Sequence, residues 1–188
     1  MTPDLSPADE AIIDYDLAAL EDIRAQFAQN RQNVLSSQDK NGHFLDDNYP
    51  CQVVLFAEDD LPEMAYSCVT SAYLASKSHD LAYREALQEK SGKQAIAYAK
   101  KNPIPSPRMD NNHRARMLKV EEHLLKQKFG PENPAILRKL VETKDLFLVI
   151  AVSEESYDDS YLHYQKKREY GQNHAGRIAM GIRDKAKL

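Results

Sequence analysis

Residues 66–77, which read YSCVTSAYLASK, carry the pattern from which the fold class follows. Val69, Tyr73 and Ser76 share one face at helical spacing, and two alanines lie beside that face. This periodicity predicts a helix over the whole segment. The rest of the architecture can be read outward from it in both directions.

Two short apolar runs on either side of this segment predict strands. Residues 52–57 and 146–152 are β-branched and apolar over the length of a strand. Proline-rich residues 102–107 cannot be helical and form a rigid extended loop. Helical patterns with start and stop signals predict further helices over 80–89, 92–101, 112–129, 134–142 and 176–186, and mostly loop over 153–173. The expected fold class is α+β, predominantly helical, with a few short strands.

An amphipathic helix is expected ahead of this body. Ser6 can cap it, and apolar residues then recur on one face as far as about residue 30. A polar stretch with a turn signal at Asn41-Gly42 separates this helix from the main domain. We therefore expect an N-terminal helical extension over 1–40 and a single domain over 41–188. The apolar face of the extension packs on that domain or on a protein partner, and the first is favoured.

The composition sets limits on function. The 188 residues are 42% hydrophobic and 29% charged, as in a globular domain, and the net charge of −4 argues against extended nucleic-acid binding. No run reaches the length of a membrane span, and the N-terminus lacks the pattern of a signal peptide, so a cytoplasmic protein is expected. Cys51 and Cys68 are expected to be packed, reduced thiols. No metal-ligand spacing or cofactor fingerprint is present, so neither a metal nor a cofactor is expected.

The order of several short motifs resembles one known family. Residues 44–55 read FLDDNYPCQVVL and are followed by the segment 66–77. This resembles the opening of the NADAR (YbiA-like) N-glycosidase family, whose members typically read F-L-S-N-F-Y-P-C, then V-V-L, then Y-P-S-V-E-H-A-Y-Q-A-x-K. Blocks at 91–95, 128–129 and 171–177 follow in the family's order. The resemblance covers about residues 44 to 185 and implies a single YbiA-like domain.

The resemblance also implies a chemistry, from which this chain departs. The family cleaves N-glycosidic bonds on phosphorylated ribose, and some members remove ADP-ribose from nucleobases. Such cleavage builds positive charge on the ribose, so a nearby carboxylate is needed to stabilise it or to activate water. The glutamate of V-E-H is the natural candidate, but Thr70 stands there, and threonine carries no negative charge near neutral pH. A second family glutamate, at the end of the late strand, is replaced by Ile150 or Ala151. The resemblance therefore implies N-glycosidase activity that is impaired or altered.

Two acidic residues could supply the missing carboxylate, namely Glu63 and Asp159. Asp159 is retained from the family's pattern, although the W-G pair that comes after it there is not. Together with neighbouring acids, Asp159 equally suits an exposed acidic loop. An active N-glycosidase with a relocated carboxylate is thus an alternative function, and an interaction module working through the N-terminal helix is another.

The remaining candidates concern binding of a nucleotide-like or ribose-phosphate ligand. Lys77 could pair with a phosphate or be a solvated lysine at a helix end, and for Lys101 a solvated helix face is favoured. The backbone before the last helix suits an anion or a plain turn with an N-cap. The ligand-binding candidates are Tyr73, Lys77, Lys101, Gly171, Asn173 and Gly176.

Overall fold

The computed structural model describes residues 25, 29, 33–58, 60–107, 113–150 and 173–186. The strands in these ranges are β1 (Val34–Ser36), β2 (Val53–Leu55), β3 (Met64–Tyr66) and β4 (Phe147–Val149), and a short 3₁₀ turn spans His43–Leu45. The helices are α1 (Val69–Ala75), α2 (Leu81–Gln88), α3 (Gly92–Lys101), α4 (His113–Lys128), α5 (Pro134–Glu142) and α6 (His174–Ala186). The described chain is mainly helical with a few short strands, which confirms the predicted α+β class.

The strands of the described ranges form two separate pairs. β1 and β4 run parallel with Val34 opposite Phe147, and β2 and β3 run antiparallel with Val53 opposite Tyr66. Neither β1 nor β3 is predicted from the sequence, because three residues are too few to show a period of two. β1 lies within the range 1–40, so the end of the expected extension pairs with β4. The domain boundary at residue 40 itself stays a prediction.

The helix predicted over 66–77 is shorter than expected, because it begins later and ends earlier. Tyr66 is the last residue of β3, so the prediction that it starts the helix is wrong. Its backbone pairs with Val53, which requires an extended chain, and its ring is buried in the core. The chain remains extended through Cys68, the N-cap of α1, and α1 ends at Ala75.

The short helix α1 lies in the middle of the core. It packs against α2, α3 and α4, and also against β2 and β3. Small side chains on α1 let these neighbours approach closely, and burial of its apolar surface contributes roughly 25 cal/mol per Å². The buried side chains of α1 are Val69, Ser71, Ala72, Leu74 and Ala75.

Amide side chains from the helices bond the free edge of β2. Gln127 accepts a hydrogen bond from Val54 N at 2.8 Å and donates one to Val54 O at 2.9 Å. Asn133 does the same for the backbone of Gln52, at 3.0 and 2.9 Å. These two amides satisfy the edge donors and acceptors that a third strand would otherwise bond. They also fix the end of α4 and the start of α5 relative to the sheet.

The other predicted elements lie close to the observed ones. α3 and α5 have the predicted bounds, and α2 and α4 are each one residue shorter at both ends. The strands predicted over 52–57 and 146–152 are shortened to β2 and β4. α6 begins at His174, two residues before the predicted start. None of the helices in the described ranges combines the length and apolar character needed to cross a membrane.

Several predictions fall on parts of the chain that lie outside the described residues. These include the N-terminal helix over 6–30, apart from positions 25 and 29, and the loop over 153–172. Asp159 and Gly171 belong to this group, so their proposed roles stay predictions.

Candidate functional site

One face of α1 reaches solvent, and it carries three of the predicted site residues. Thr70, Tyr73 and Lys77 are each partly exposed, whereas the other residues of α1 are buried. Lys77 follows the last turn of the helix, and its Nζ lies 4.6 Å from the centre of the Tyr73 ring. An ammonium at this distance from an aromatic face makes a cation–π contact. We call this row of three residues the α1 strip.

The start of the α1 strip contacts the turn that comes after the 3₁₀ segment. The main-chain N–H of Thr70 donates a 3.2 Å hydrogen bond to the carbonyl oxygen of Asp47. The turn is held by Asp46, whose Oδ1 accepts from the backbone N of Asn48 at 2.8 Å and from its Nδ2 at 2.9 Å. Aspartate favours such turns because its carboxylate can bond the backbone two residues on. The carboxylate-bearing residue Asp47 is thereby placed against the first turn of α1.

A buried lysine lies beneath this turn. Lys128 is 0% exposed, and its Nζ donates to the carbonyl oxygens of Leu45 at 2.8 Å and Asp46 at 2.7 Å. The same Nζ lies 3.5 Å from Oδ1 of Asp47, whose side chain is 13% exposed. A buried ammonium is tolerated only when it is paired and hydrogen-bonded, and these three oxygens meet that need. Asp47 and Lys128 therefore form an ion pair at the turn whose backbone contacts Thr70.

Sequence reasoning did not select Asp47 or Lys128 as site residues. Both lie in motifs that carried the family resemblance, Asp47 in FLDDNYPC and Lys128 in the block at 128–129. The available signal was a charged residue inside a motif that otherwise follows a family pattern.

A second cation lies at the other end of the α1 strip. Arg116 on α4 donates from Nη1 to the carbonyl oxygen of Ser76 at 3.3 Å, next to Lys77 in the chain. The Arg116 side chain is half-buried against the end of α1. Arginine and lysine at one place form a pair of donors suited to a phosphate group.

The two cysteines near the site are not activated. Burial raises the pKa of the Cys51 thiol to about 11, against a weaker opposing effect of Lys128. Burial also raises the pKa of the Cys68 thiol, whose Sγ lies 3.1 Å from Oγ of Ser71. A thiol in this state is protonated at neutral pH and is a poor nucleophile. Both cysteines therefore act as packed thiols.

The predicted residues Glu63 and Lys101 are both exposed on the surface, and neither belongs to α1 or to the α1 strip. Glu63 is exposed and directly precedes β3, and Lys101 is exposed at the last position of α3. The described residues contain no group of three or more His, Cys, Asp or Glu side chains that could hold a metal ion.

Asn173 directly precedes α6, and Gly176 lies in the first turn of α6. Both are buried where α6 packs on β4. Nδ2 of Asn173 donates to the carbonyl oxygen of Leu148 at 2.8 Å, and its Oδ1 accepts from Ile150 N at 3.2 Å. Asn173 has a φ of 46°, in the left-handed region that asparagine tolerates better than most residues. Both residues are thus occupied in joining α6 to the strand, which favours the turn-and-cap interpretation over an anion site.

Comparison with known proteins supports the fold and little beyond it. The chain matches no protein-family profile and no curated protein. Among solved structures it is similar to the NMR structure of the Escherichia coli protein YbiA, with a TM-score of 0.59 and 20% sequence identity. The match covers 82% of this chain and 85% of that one. The chain therefore has a YbiA-like fold, as the resemblance implied, in a divergent sequence.

Proposed function

We propose that this chain binds a ribose-phosphate or ADP-ribose-type ligand along the α1 strip, with N-glycosidase chemistry that is impaired or altered. The observation that carries the proposal is the selective exposure of α1, a core helix that leaves Thr70 and Tyr73 partly exposed while burying its other side chains, with the partly exposed Lys77 two residues after its end. The strip places an aromatic ring beside a positive charge, with Lys77 Nζ 4.6 Å from the centre of the Tyr73 ring. A ligand with a flat base and a charged group uses both.

Each residue of the strip offers a distinct contact. The Tyr73 ring provides a surface on which a base or ribose can stack, and Thr70 can donate to and accept from a ribose hydroxyl. Lys77 supplies a positive charge for a phosphate, and Arg116 lies against the neighbouring Ser76 carbonyl to supply a second. These groups follow one another along α1 in the order base or ribose, then phosphate.

The chemistry is altered because Thr70 occupies the position of the acid. Loss of a carboxylate that stabilises a developing charge or activates water costs orders of magnitude in rate. Thr70 retains hydrogen-bonding capacity, so it preserves contact with a ligand while losing the charge that assists bond cleavage. Binding and cleavage are thus expected to separate in this chain.

Calorimetric titration with ADP-ribose and with ribose 5-phosphate tests the proposal. We expect saturable binding that weakens on the order of tenfold in Tyr73→Ala and in Lys77→Ala. Lys126→Ala is a matched control, because Lys126 is a 61% exposed lysine paired with Glu122 on α4. The absence of saturable binding to either compound, or equal losses in all three variants, would contradict the proposed function.

A further inference from the structure

We propose that Asp47 supplies the carboxylate of this site in place of the acid missing at Thr70. This deepens the proposed function and rests on it. The main chains of the two residues are in direct contact, since the Thr70 N–H donates to the main-chain carbonyl oxygen of Asp47 at 3.2 Å. The backbone of Asp47 therefore lies against the start of the α1 strip.

The surroundings of Asp47 are those of a held carboxylate at the edge of the interior. Its side chain is 13% exposed, whereas the side chain of its partner Lys128 is 0% exposed. The carboxylate lies 3.5 Å from the Lys128 ammonium, which is itself fixed by the carbonyls of Leu45 and Asp46. A group held in this way is oriented before any ligand arrives, and such preorganisation is what charge stabilisation requires.

The charges of Asp47 and Lys128 also act on groups near the start of α1. The charges of Asp47 and Lys128 act in opposite directions on the pKa of the Cys51 thiol and on that of Cys68. Cys68 is the N-cap of α1, directly before the turn that holds Thr70. The field of Asp47 is therefore felt where the α1 strip begins.

Glu63 and Asp46 fit this position less well. Glu63 is exposed ahead of β3, and Asp46 already accepts two hydrogen bonds from Asn48. The sequence pattern points the same way, because FLDDNYPC carries Asp47 where the motif F-L-S-N-F-Y-P-C carries an uncharged asparagine. Relative to the family pattern, this chain thus lacks an acid at position 70 and carries one at position 47, whose backbone bonds that of Thr70.

The reaction that Asp47 would assist is hydrolysis of a bond between ribose C1′ and a base nitrogen. The C1′–N bond breaks and its electron pair leaves with the base, while a water oxygen bonds to C1′. Asp47 accepts one proton from that water and later returns it to solvent; a base that leaves as an anion takes a proton from solvent, whereas the cationic nicotinamide nitrogen leaves neutral and takes none. Before water attacks, the Asp47 carboxylate stabilises the positive charge on the ribose.

A swap experiment tests the assignment with nicotinamide adenine dinucleotide, an ADP-ribose conjugate of a base, as substrate and ADP-ribose as ligand. We expect Asp47→Asn to lower kcat at least about 100-fold with little change in ADP-ribose affinity. Adding Thr70→Glu to Asp47→Asn should recover at least about tenfold of that loss, because the double variant returns a carboxylate to position 70. Unchanged kcat in Asp47→Asn would overturn the proposal, as would a double variant no faster than Asp47→Asn.

A second variant separates catalysis from a structural role, because Asp47→Asn also removes the partner of Lys128. Asp47→Glu keeps the ion pair and moves the carboxylate by one methylene, so the protein should fold while kcat falls and KM changes little. Wild-type kcat in folded Asp47→Glu would show that the carboxylate serves only Lys128 and would overturn the proposal. Wild-type protein that binds ADP-ribose without any turnover would also overturn it, whereas a lack of both binding and turnover contradicts the proposed function itself.

Discussion

Gly176 packs so tightly against Asn173 that a Cβ added at position 176 would lie 2.4 Å from the Asn173 Oδ1. The same Cβ would lie 2.5 Å from the carbonyl oxygen of Leu148 on β4. Both distances are shorter than a carbon and an oxygen can tolerate, and the carbonyl belongs to backbone that cannot turn away. Asn173 and Gly176 therefore pack the first turn of α6 closely against β4. Both residues are predicted from the sequence as ligand contacts.

Gly176→Ala tests this close packing. We expect the free energy of unfolding to fall by roughly 1–3 kcal/mol, because the added methyl group must displace the strand or the Asn173 amide. Gly181→Ala is the matched control on the same helix, since nothing lies within 4 Å of a Cβ there. Alanine at that exposed helical site should raise stability by roughly 0.5–1 kcal/mol. Urea denaturation of both variants measures the difference. A Gly176→Ala variant with the free energy of unfolding of the wild type would refute the close packing of α6 on β4.

Asn173 combines two roles that substitution can separate. Asn173→Ala loses the hydrogen bonds to Leu148 and Ile150 and also places alanine at a φ of 46°, so we expect a loss of about 2–4 kcal/mol. Asn173→Gly loses the same bonds but accepts the backbone angle, and should be the more stable of the two by about 1 kcal/mol. Chemical denaturation checks the order. Weaker ADP-ribose binding in either variant, at unchanged stability, would favour an anion site there instead.

The sequence predicts those features that depend on local pattern. The bounds of α3 and α5 follow from their own start signals. The face assigned to Val69, Tyr73 and Ser76 does not hold, because Val69 and Ser76 are buried while Tyr73 is partly exposed. The start of α1 does not follow, because the pairing of Tyr66 with Val53 overrides the helical pattern around it.

Contacts between residues that are distant in sequence could not be predicted from local pattern. The approach of Lys128 to Asp47, and of Arg116 to Ser76, depends on how α4 crosses the domain, and no local period encodes that crossing. Asn173 shows the converse limit. An Asn at a helix start with glycines two positions before and three after has the same local signature whether its amide faces a ligand or bonds a neighbouring strand, and only packing on β4 decides between them.

Arg116→Ala should weaken ADP-ribose binding about as much as Lys77→Ala, because both cations are proposed to contact the phosphates. A loss on the order of tenfold is expected, together with a smaller dependence of affinity on salt, since fewer charged contacts remain to be screened. Arg116→Lys should recover part of the affinity, as lysine keeps the charge but not the planar pair of donors. Titrations at two salt concentrations check this, and an affinity for ADP-ribose that is unchanged in Arg116→Ala would remove Arg116 from the site.

Alkaline pH should destabilise the protein through buried groups. Burial raises the pKa of Cys51 to about 11 and that of Tyr66 to about 12, so both stay protonated in the folded chain at pH values where the unfolded chain ionises them. The stabilisation from Cys51 is complete below its unfolded pKa and is lost as pH rises towards about 11. Each such group contributes a slope of about 1.4 kcal/mol per pH unit. Urea unfolding between about pH 8 and 10.5 measures it, and the slope should be smaller in Cys51→Ala; equal slopes would refute the assignment.

The ion pair of Lys128 and Asp47 predicts a coupled effect on stability. Lys128→Met leaves Asp47 and the carbonyls of Leu45 and Asp46 without their common donor, so we expect a loss of about 3–5 kcal/mol. Asp47→Asn leaves the buried ammonium with two neutral acceptors and should also be costly. In the double variant neither charge is left uncompensated, so its loss should be smaller than the sum of the two single losses by at least about 1 kcal/mol. Urea unfolding of the four proteins measures this coupling energy. Additive losses would show that the two side chains act independently despite their separation of 3.5 Å.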